Sequence, residues 1–124
     1  MILEFLEQGF SICKMRESEC PKIRSETMFF GRTDGETSLV CPSTDVPTDG
    51  VLERNDGWRA FRVVGTLDLS LIGILSKITG TLADNRIGVF VISTFDTDYV
   101  LVRDGDISKT RDVLSDAGYG WKGA

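Results

Sequence analysis

Between positions 93 and 98 the sequence reads Ser93-Thr94-Phe95-Asp96-Thr97-Asp98, five polar residues in six, set inside a run that is otherwise apolar. Two carboxylates and three hydroxyls at a strand end are suited to holding a cationic group. Ser93 and Thr94 offer hydroxyls, and Asp96 or Asp98 offers negative charge to an ammonium or a guanidinium. Some twenty residues earlier, Ile72-Gly73-Ile74 opens a stretch with helical periodicity. A glycine in a first helical turn costs about 1 kcal/mol relative to alanine. Its missing side chain would let a ligand reach the free N–H groups there, which attract a carboxylate. Together the two segments match a zwitterion at both ends. Plainer readings fit the same residues: Asp96-Thr97 as an ordinary turn, and Gly73 as a point of close helix–sheet packing.

Other chemistries are excluded more firmly. The 124 residues include no histidine, which removes the commonest neutral-pH acid–base group and with it Ser-His-Asp, Cys-His and HExxH sites. No carboxylate pair or activated nucleophile can be placed, so no enzyme is expected. The three cysteines, Cys13, Cys20 and Cys41, lack CxxC spacing, and three thiols without histidine are a poor zinc set. No metal or other cofactor is therefore expected. Cys13 and Cys41 stand in strand-like runs and read as buried thiols of a reducing cytoplasm; Cys20, beside Pro21, reads as exposed. The balance of 14 basic against 19 acidic residues gives a net charge of −5 and argues against nucleic acid. No apolar run approaches the roughly 20 residues of a membrane helix, and the opening decapeptide carries Glu4 and Glu7 where a signal peptide would be basic. A cytoplasmic protein without membrane contact is expected.

The charge is uneven. Residues 1–57 hold 11 acidic and 6 basic residues, whereas residues 58–124 hold eight of each, every acid there being aspartate. The elements are clearest in that second part. Residues 58–64 form a strand, and apolar residues at 71, 74, 75, 78 and 82 form one helical face, with Asp68 or Ser70 as its cap. Residues 87–95 form a strand buried on both faces, Asp96-Thr97 a tight turn, and residues 98–103 its hairpin partner. Asp106 caps a second helix that Gly118 ends, and residues 119–121 add a short strand. The order β-α-β-β-α-β predicts an α+β, ferredoxin-like unit with both helices on one face of an antiparallel sheet. The first part predicts short strands at 10–16, 28–32 and 39–41, one helical turn from the Thr33/Glu36 capping-box spacing, and a loop over 42–57.

This order, with the words Gly57-Trp58-Arg59, Gly65-Thr66-Leu67-Asp68, Ile72-Gly73-Ile74-Leu75 and Ile92-Ser93-Thr94-Phe95-Asp96-Thr97-Asp98-Tyr99-Val100-Leu101-Val102, resembles the ACT domain, a small regulatory module that commonly binds amino acids. The resemblance points to a tandem-ACT branch found in bacterial proteins and in the cytosolic arginine sensors of animals. Phe10-Ser11-Ile12-Cys13 and Thr37-Ser38-Leu39-Val40-Cys41-Pro42 are similar to the reduced first unit of that branch. The resemblance implies a reduced ACT-like unit over residues 1–56 and an ACT domain over 57–124. It implies an amino-acid ligand between ACT units, touching Asp68, Leu69, Ile72, Gly73, Ile74, Ser93, Thr94, Asp96, Thr97 and Asp98. Sheets of this kind have edges that need covering, so a homodimer is expected. The alternative is a ligand-free interaction or dimerisation module on the same fold.

Overall fold

Backbone pairing starts earlier than the hydrophobic pattern predicts. In the computed structural model, which describes residues 1–16, 20–22, 25–65 and 73–123, the first strand, β1, runs over Ile2–Met15. It is followed by β2 (Phe29–Arg32), β3 (Thr37–Pro42), a 3-10 turn (Ser43–Asp45), β4 (Val51–Val63), α1 (Ile74–Asp84), β5 (Val89–Ser93), β6 (Asp98–Arg103), a second 3-10 turn (Asp104–Asp106), α2 (Ile107–Asp116) and β7 (Gly120–Trp121). The chain forms two compact units, a C-terminal one of Met1–Glu7 with Arg59–Ala124 and an N-terminal one of Gln8–Trp58. β1 and β4 are long enough for each to serve both.

In the C-terminal unit β5 pairs antiparallel with β6, from Val89↔Val102 to Ser93↔Asp98, and β6 lies beside β4. The opening residues of β1 come next. The Ile2 carbonyl accepts from the Val64 N–H at 2.9 Å, while the carbonyls of Met1 and Leu3, facing the other way, accept from Gly120 and Lys122 at 3.1 and 2.8 Å. The strand order is therefore β7-β1-β4-β6-β5. This is the predicted α+β, ferredoxin-like arrangement with one strand added between its first and last. The core is formed by Leu3, Phe61, Val63, Val100 and Val102 from the sheet with Ile78, Leu82 and Leu114 from the helices. Burying such side chains stabilises by about 1.5–3 kcal/mol each.

The end of α2 follows from its sequence. Beyond α2, Tyr119 N–H bonds the Leu114 carbonyl and Gly118 N–H the Ser115 carbonyl, each at 3.0 Å. This is a Schellman motif, with Gly118 at φ 103° in the left-handed conformation that favours glycine. At the other end of α2, Asp106 is the N-cap residue, but its side chain makes no capping hydrogen bond.

In the N-terminal unit the order is β2-β3-β1-β4. β1 meets β3 antiparallel, with Ser11↔Cys41 and Cys13↔Leu39 in register, and Arg16 N–H bonds the Gly50 carbonyl at 2.7 Å. The third strand again stands between first and second, with the fourth beyond the first, so the unit repeats the strand order of the other. A core of Cys13, Met15, Leu39 and Cys41 sits on one face of its sheet.

Three further sequence expectations change. Thr33 and Glu36 do not begin a helical turn: the Thr33 Oγ1 accepts from the Gly35 and Glu36 N–H groups at 3.2 and 3.1 Å, but it closes the β2–β3 hairpin. The capping-box hydroxyl and a hairpin turn use the same local bond. The segment 42–57 is not all loop, because β4 begins at Val51. Its polar residues join through backbone pairing, which composition does not report. β5 is the last strand in its order and is nowhere fully buried, Val89 being 36% exposed. Its continuous apolar run is an edge and not a centre.

Candidate functional site

The hairpin that carries Ser93, Thr94, Asp96, Thr97 and Asp98 closes by backbone and side chain together. Thr94 N–H donates to the Thr97 carbonyl at 2.9 Å, and the Thr94 hydroxyl donates to the same oxygen at 3.0 Å. Ser93 Oγ donates to Asp98 Oδ1 at 2.7 Å, across the register pair that ends the strands. Thr97 Oγ1 reaches out of the hairpin to the Val63 carbonyl at 3.0 Å. It thereby ties the turn to the C-terminal end of β4, from which the chain leads to α1. Three of the predicted ligand hydroxyls thus have partners in the protein.

Asp96 differs. It is exposed, and among the described residues its carboxylate has no hydrogen-bond or ion-pair partner. Beside it Phe95 is 82% exposed. Asp98 is half-buried and offers the carboxylate oxygen that Ser93 does not use.

Gly73 sits at the N-cap of α1 with φ 80°, one place before the first turn in which it was expected. A side chain is strained at that angle, although a Cβ placed there would meet nothing within 4 Å. The first bond of the helix is Lys77 N–H to the Gly73 carbonyl at 3.0 Å, and among the described residues no side chain caps the end. The N–H groups of residues 74–76 therefore have no acceptor within the helix. Ile74 packs on the core of the unit. Asp68, Leu69 and Ile72, with the predicted cap Ser70, lie outside the described residues.

Below the hairpin, a polar cluster unforeseen in the sequence braces the strands. Arg62 of β4 donates through Nε and Nη2 to Glu4 Oε1 at 3.3 and 3.1 Å and through Nη1 to the Tyr99 hydroxyl at 3.3 Å. Lys122 Nζ stands 3.6 Å from Glu4 Oε2. The Arg62 hydrogen bond, aided by the charge of Lys122, holds the Glu4 carboxyl below the ordinary carboxylate range. Tyr99 follows Asp98, so this bracing reaches the base of the hairpin. No pattern in the sequence marks it, because its members come from three separate strands and the chain end.

A second cluster lies in the N-terminal unit. The fully buried Ser11 bonds through Oγ to Asp56 and, at 2.7 Å, to Ser43 Oγ. Asp56 accepts from Arg54 Nε at 2.7 Å, and Arg54 Nη2 reaches the Ser43 carbonyl at 3.1 Å. These groups satisfy one another and pin the 3-10 turn to β1 and β4. An open groove of about 440 Å³, lined among others by Lys77, Gly80, Thr81, Asp84 and Tyr119, runs where α1 meets the end of α2. It includes none of the predicted ligand residues. Among the described residues no three Cys, Asp or Glu are placed to hold a metal ion, and no helix is long and apolar enough to cross a membrane.

Comparison with known proteins places this geometry in context. A family model described as ACT domain matches residues 53–116, just over half of the chain. The human cytosolic arginine sensor for mTORC1 subunit 1 is 32% identical over 120 residues, covering 91% of this chain and 36% of its own length. The chain thus spans about a third of the curated relatives it matches. A solved protein of Agrobacterium tumefaciens is 34% identical with a TM-score of 0.86, over 98% of this chain and 91% of that one. A structure of aspartokinase alpha and beta subunits, 17% identical, has a TM-score of 0.64 over 94% of this chain and 97% of that one; it shares the fold.

Proposed function

The chain belongs to the ACT domain family, and from that premise we propose that it is a regulatory protein binding an amino acid at the hairpin end of its C-terminal unit. The observation that carries this reading is the Asp96 carboxylate. It stands exposed and, among the described residues, unpaired on a hairpin whose three hydroxyls have partners within the turn and on β4. In the proposed site Asp96, with Asp98 behind it, takes the ligand ammonium or guanidinium. The N–H groups of the first turn of α1, which no described side chain caps, take its carboxylate. Ile74, Ser93, Thr94 and Thr97 shape the surroundings, and Asp68, Leu69 and Ile72 are proposed to join them.

A relative named as an arginine sensor supports an amino acid as the ligand class and makes arginine the first to test. That relative is also named cytosolic, and we propose the cytoplasm for this chain. The curated relative is named as a sensor, and we propose no reaction and no cofactor. The outer edge of β5, paired with no further strand among the described residues, supports a homodimer. The competing reading, an interaction module without ligand, is favoured by the three hydroxyls already spent on partners in the hairpin and β4.

The two readings separate in a thermal-denaturation panel of the common amino acids on protein freed of bound ligand. At 100 times the dissociation constant a ligand adds about 2.7 kcal/mol, which raises the melting temperature of a chain this size by several degrees. Asp96→Ala is expected to abolish the rise while leaving the unliganded melting temperature unchanged within about 1 °C. Silence across the whole panel would sink the amino-acid reading and leave the interaction module.

A further inference from the structure

Within the C-terminal unit, but on other elements than the hairpin, one cation is held with no counter-charge among the described residues. Phe5 of β1 and Trp121 of β7 stack with ring centroids 5.1 Å apart and 8° between planes. The Arg111 guanidinium, from α2, lies 5.0 Å from the Phe5 ring centre and 5.2 Å from that of Trp121. The Trp121 indole N–H donates to the Arg111 carbonyl at 3.3 Å, which fixes ring and helix together. A second guanidinium, that of Arg59 from β4, lies 5.9 Å from the same Phe5 ring centre. Its Nε and Nη2 donate to the Leu6 carbonyl at 3.2 and 2.7 Å.

All four side chains are half-buried. A guanidinium stays charged under any physiological condition and carries five N–H donors in its own plane. Aromatic rings attract the cation through their faces but accept none of those in-plane bonds. Among the described residues the Arg111 guanidinium has no hydrogen-bond acceptor and no carboxylate partner, although the chain has an excess of acid. Glu4, the residue before Phe5 in β1, is taken by Arg62 and Lys122. Two like charges are thus gathered at one ring, one with its whole donor fork unused, and both partly withdrawn from water. That arrangement lacks one component, an oxyanion.

We propose that Arg111, seated on Phe5 and Trp121 and assisted by Arg59, binds the oxyanion of a small molecule, a phosphate or a carboxylate, through its guanidinium fork. The site is independent of the hairpin end, and its failure would leave the amino-acid reading untouched. Trp121 gives a direct readout. The two tryptophans of the chain yield two indole N–H signals in proton–nitrogen NMR, assigned by a Trp121→Phe variant. Inorganic phosphate and acetate are titrated separately, with chloride holding ionic strength constant. The Trp121 signal is expected to shift saturably with one or both probes while the Trp58 signal stays still. Saturation by phosphate alone assigns a phosphorylated ligand, and saturation by acetate alone a carboxylate. Arg111→Lys, which keeps the charge and loses the fork, is expected to weaken binding roughly tenfold or more, and Arg111→Gln to remove it. A shift that never saturates with either probe in the native protein, or one of equal size and midpoint in the Lys variant, overturns the proposal.

Discussion

Asp96 and Glu4 are carboxylates of one unit with opposite fates. Glu4 receives two N–H groups of Arg62 and the charge of Lys122, and its affinity for protons falls accordingly. Asp56, held by Ser11 and then Arg54, is lowered in the same way. A carboxylate more acidic in the folded protein than in the unfolded chain leaves the unfolded state binding more protons as pH falls. Its contribution is present above the ordinary carboxylate value of about 4.3 and is lost as pH drops through the lower, folded value. Urea midpoints are therefore expected to fall on acidification from about pH 6 to about pH 3, and Glu4→Gln is expected to flatten part of that slope. An unchanged slope in the variant would show that the Arg62 contact does not bind Glu4 more firmly than water does. The cysteines divide in the same manner. Burial pushes the Cys41 thiol up to about 11 and raises that of Cys13, which leaves both as apolar packing groups at neutral pH, while Cys20 is exposed.

The strand-to-helix junction and the hairpin are the elements on which the proposed site rests. α1 begins at a glycine because φ there is 80°, a conformation costing an alanine on the order of 1–2 kcal/mol. Gly73→Ala is expected to destabilise the protein by about that amount even though the space around it is open. Chemical denaturation measures the loss, and a variant as stable as the native chain would show that the junction tolerates another backbone path. The hairpin needs no ligand to close, since Ser93 and Thr94 supply its internal bonds and Thr97 ties it to β4. The hydroxyls shape the turn, and among the described residues the acid at its tip is left without a partner.

For the molecule as a whole, the feature that invites a partner is the free side of β5, five residues without charge or proline. Such edges are normally blunted with charge, proline or a cover. The proposed homodimer, with like edges meeting about a two-fold axis, is expected to appear in sedimentation at micromolar concentration as twice the chain mass. Val89→Lys, which puts a charge on the exposed edge, is expected to shift it to monomer. A native chain that sediments as a monomer throughout would remove this role from the strand.

Much of the C-terminal unit is legible in the sequence. The apolar spacing of α1, the Asp106-to-Gly118 span of α2 and the polar turn between β5 and β6 all appear where the residues place them. Each depends on neighbours a few positions apart: helical period, left-handed glycine, turn hydroxyl. The N-terminal unit is less legible, because β4 begins among charged and polar residues whose place in a sheet comes from the backbone of β1. The same holds for the candidate site. The sequence by itself determined the ferredoxin-like element order, the family, the absence of histidine chemistry and the polar hairpin. Only the tertiary structure decided that residues 1–7 enter the sheet between β7 and β4. It alone decided that the apolar β5 is an edge, that Glu4 is spent on Arg62 while Asp96 is not, and that Arg111 and Arg59 meet over one ring. Each of those is a contact between positions tens of residues apart, and local pattern carries no record of which distant groups a closed sheet brings together.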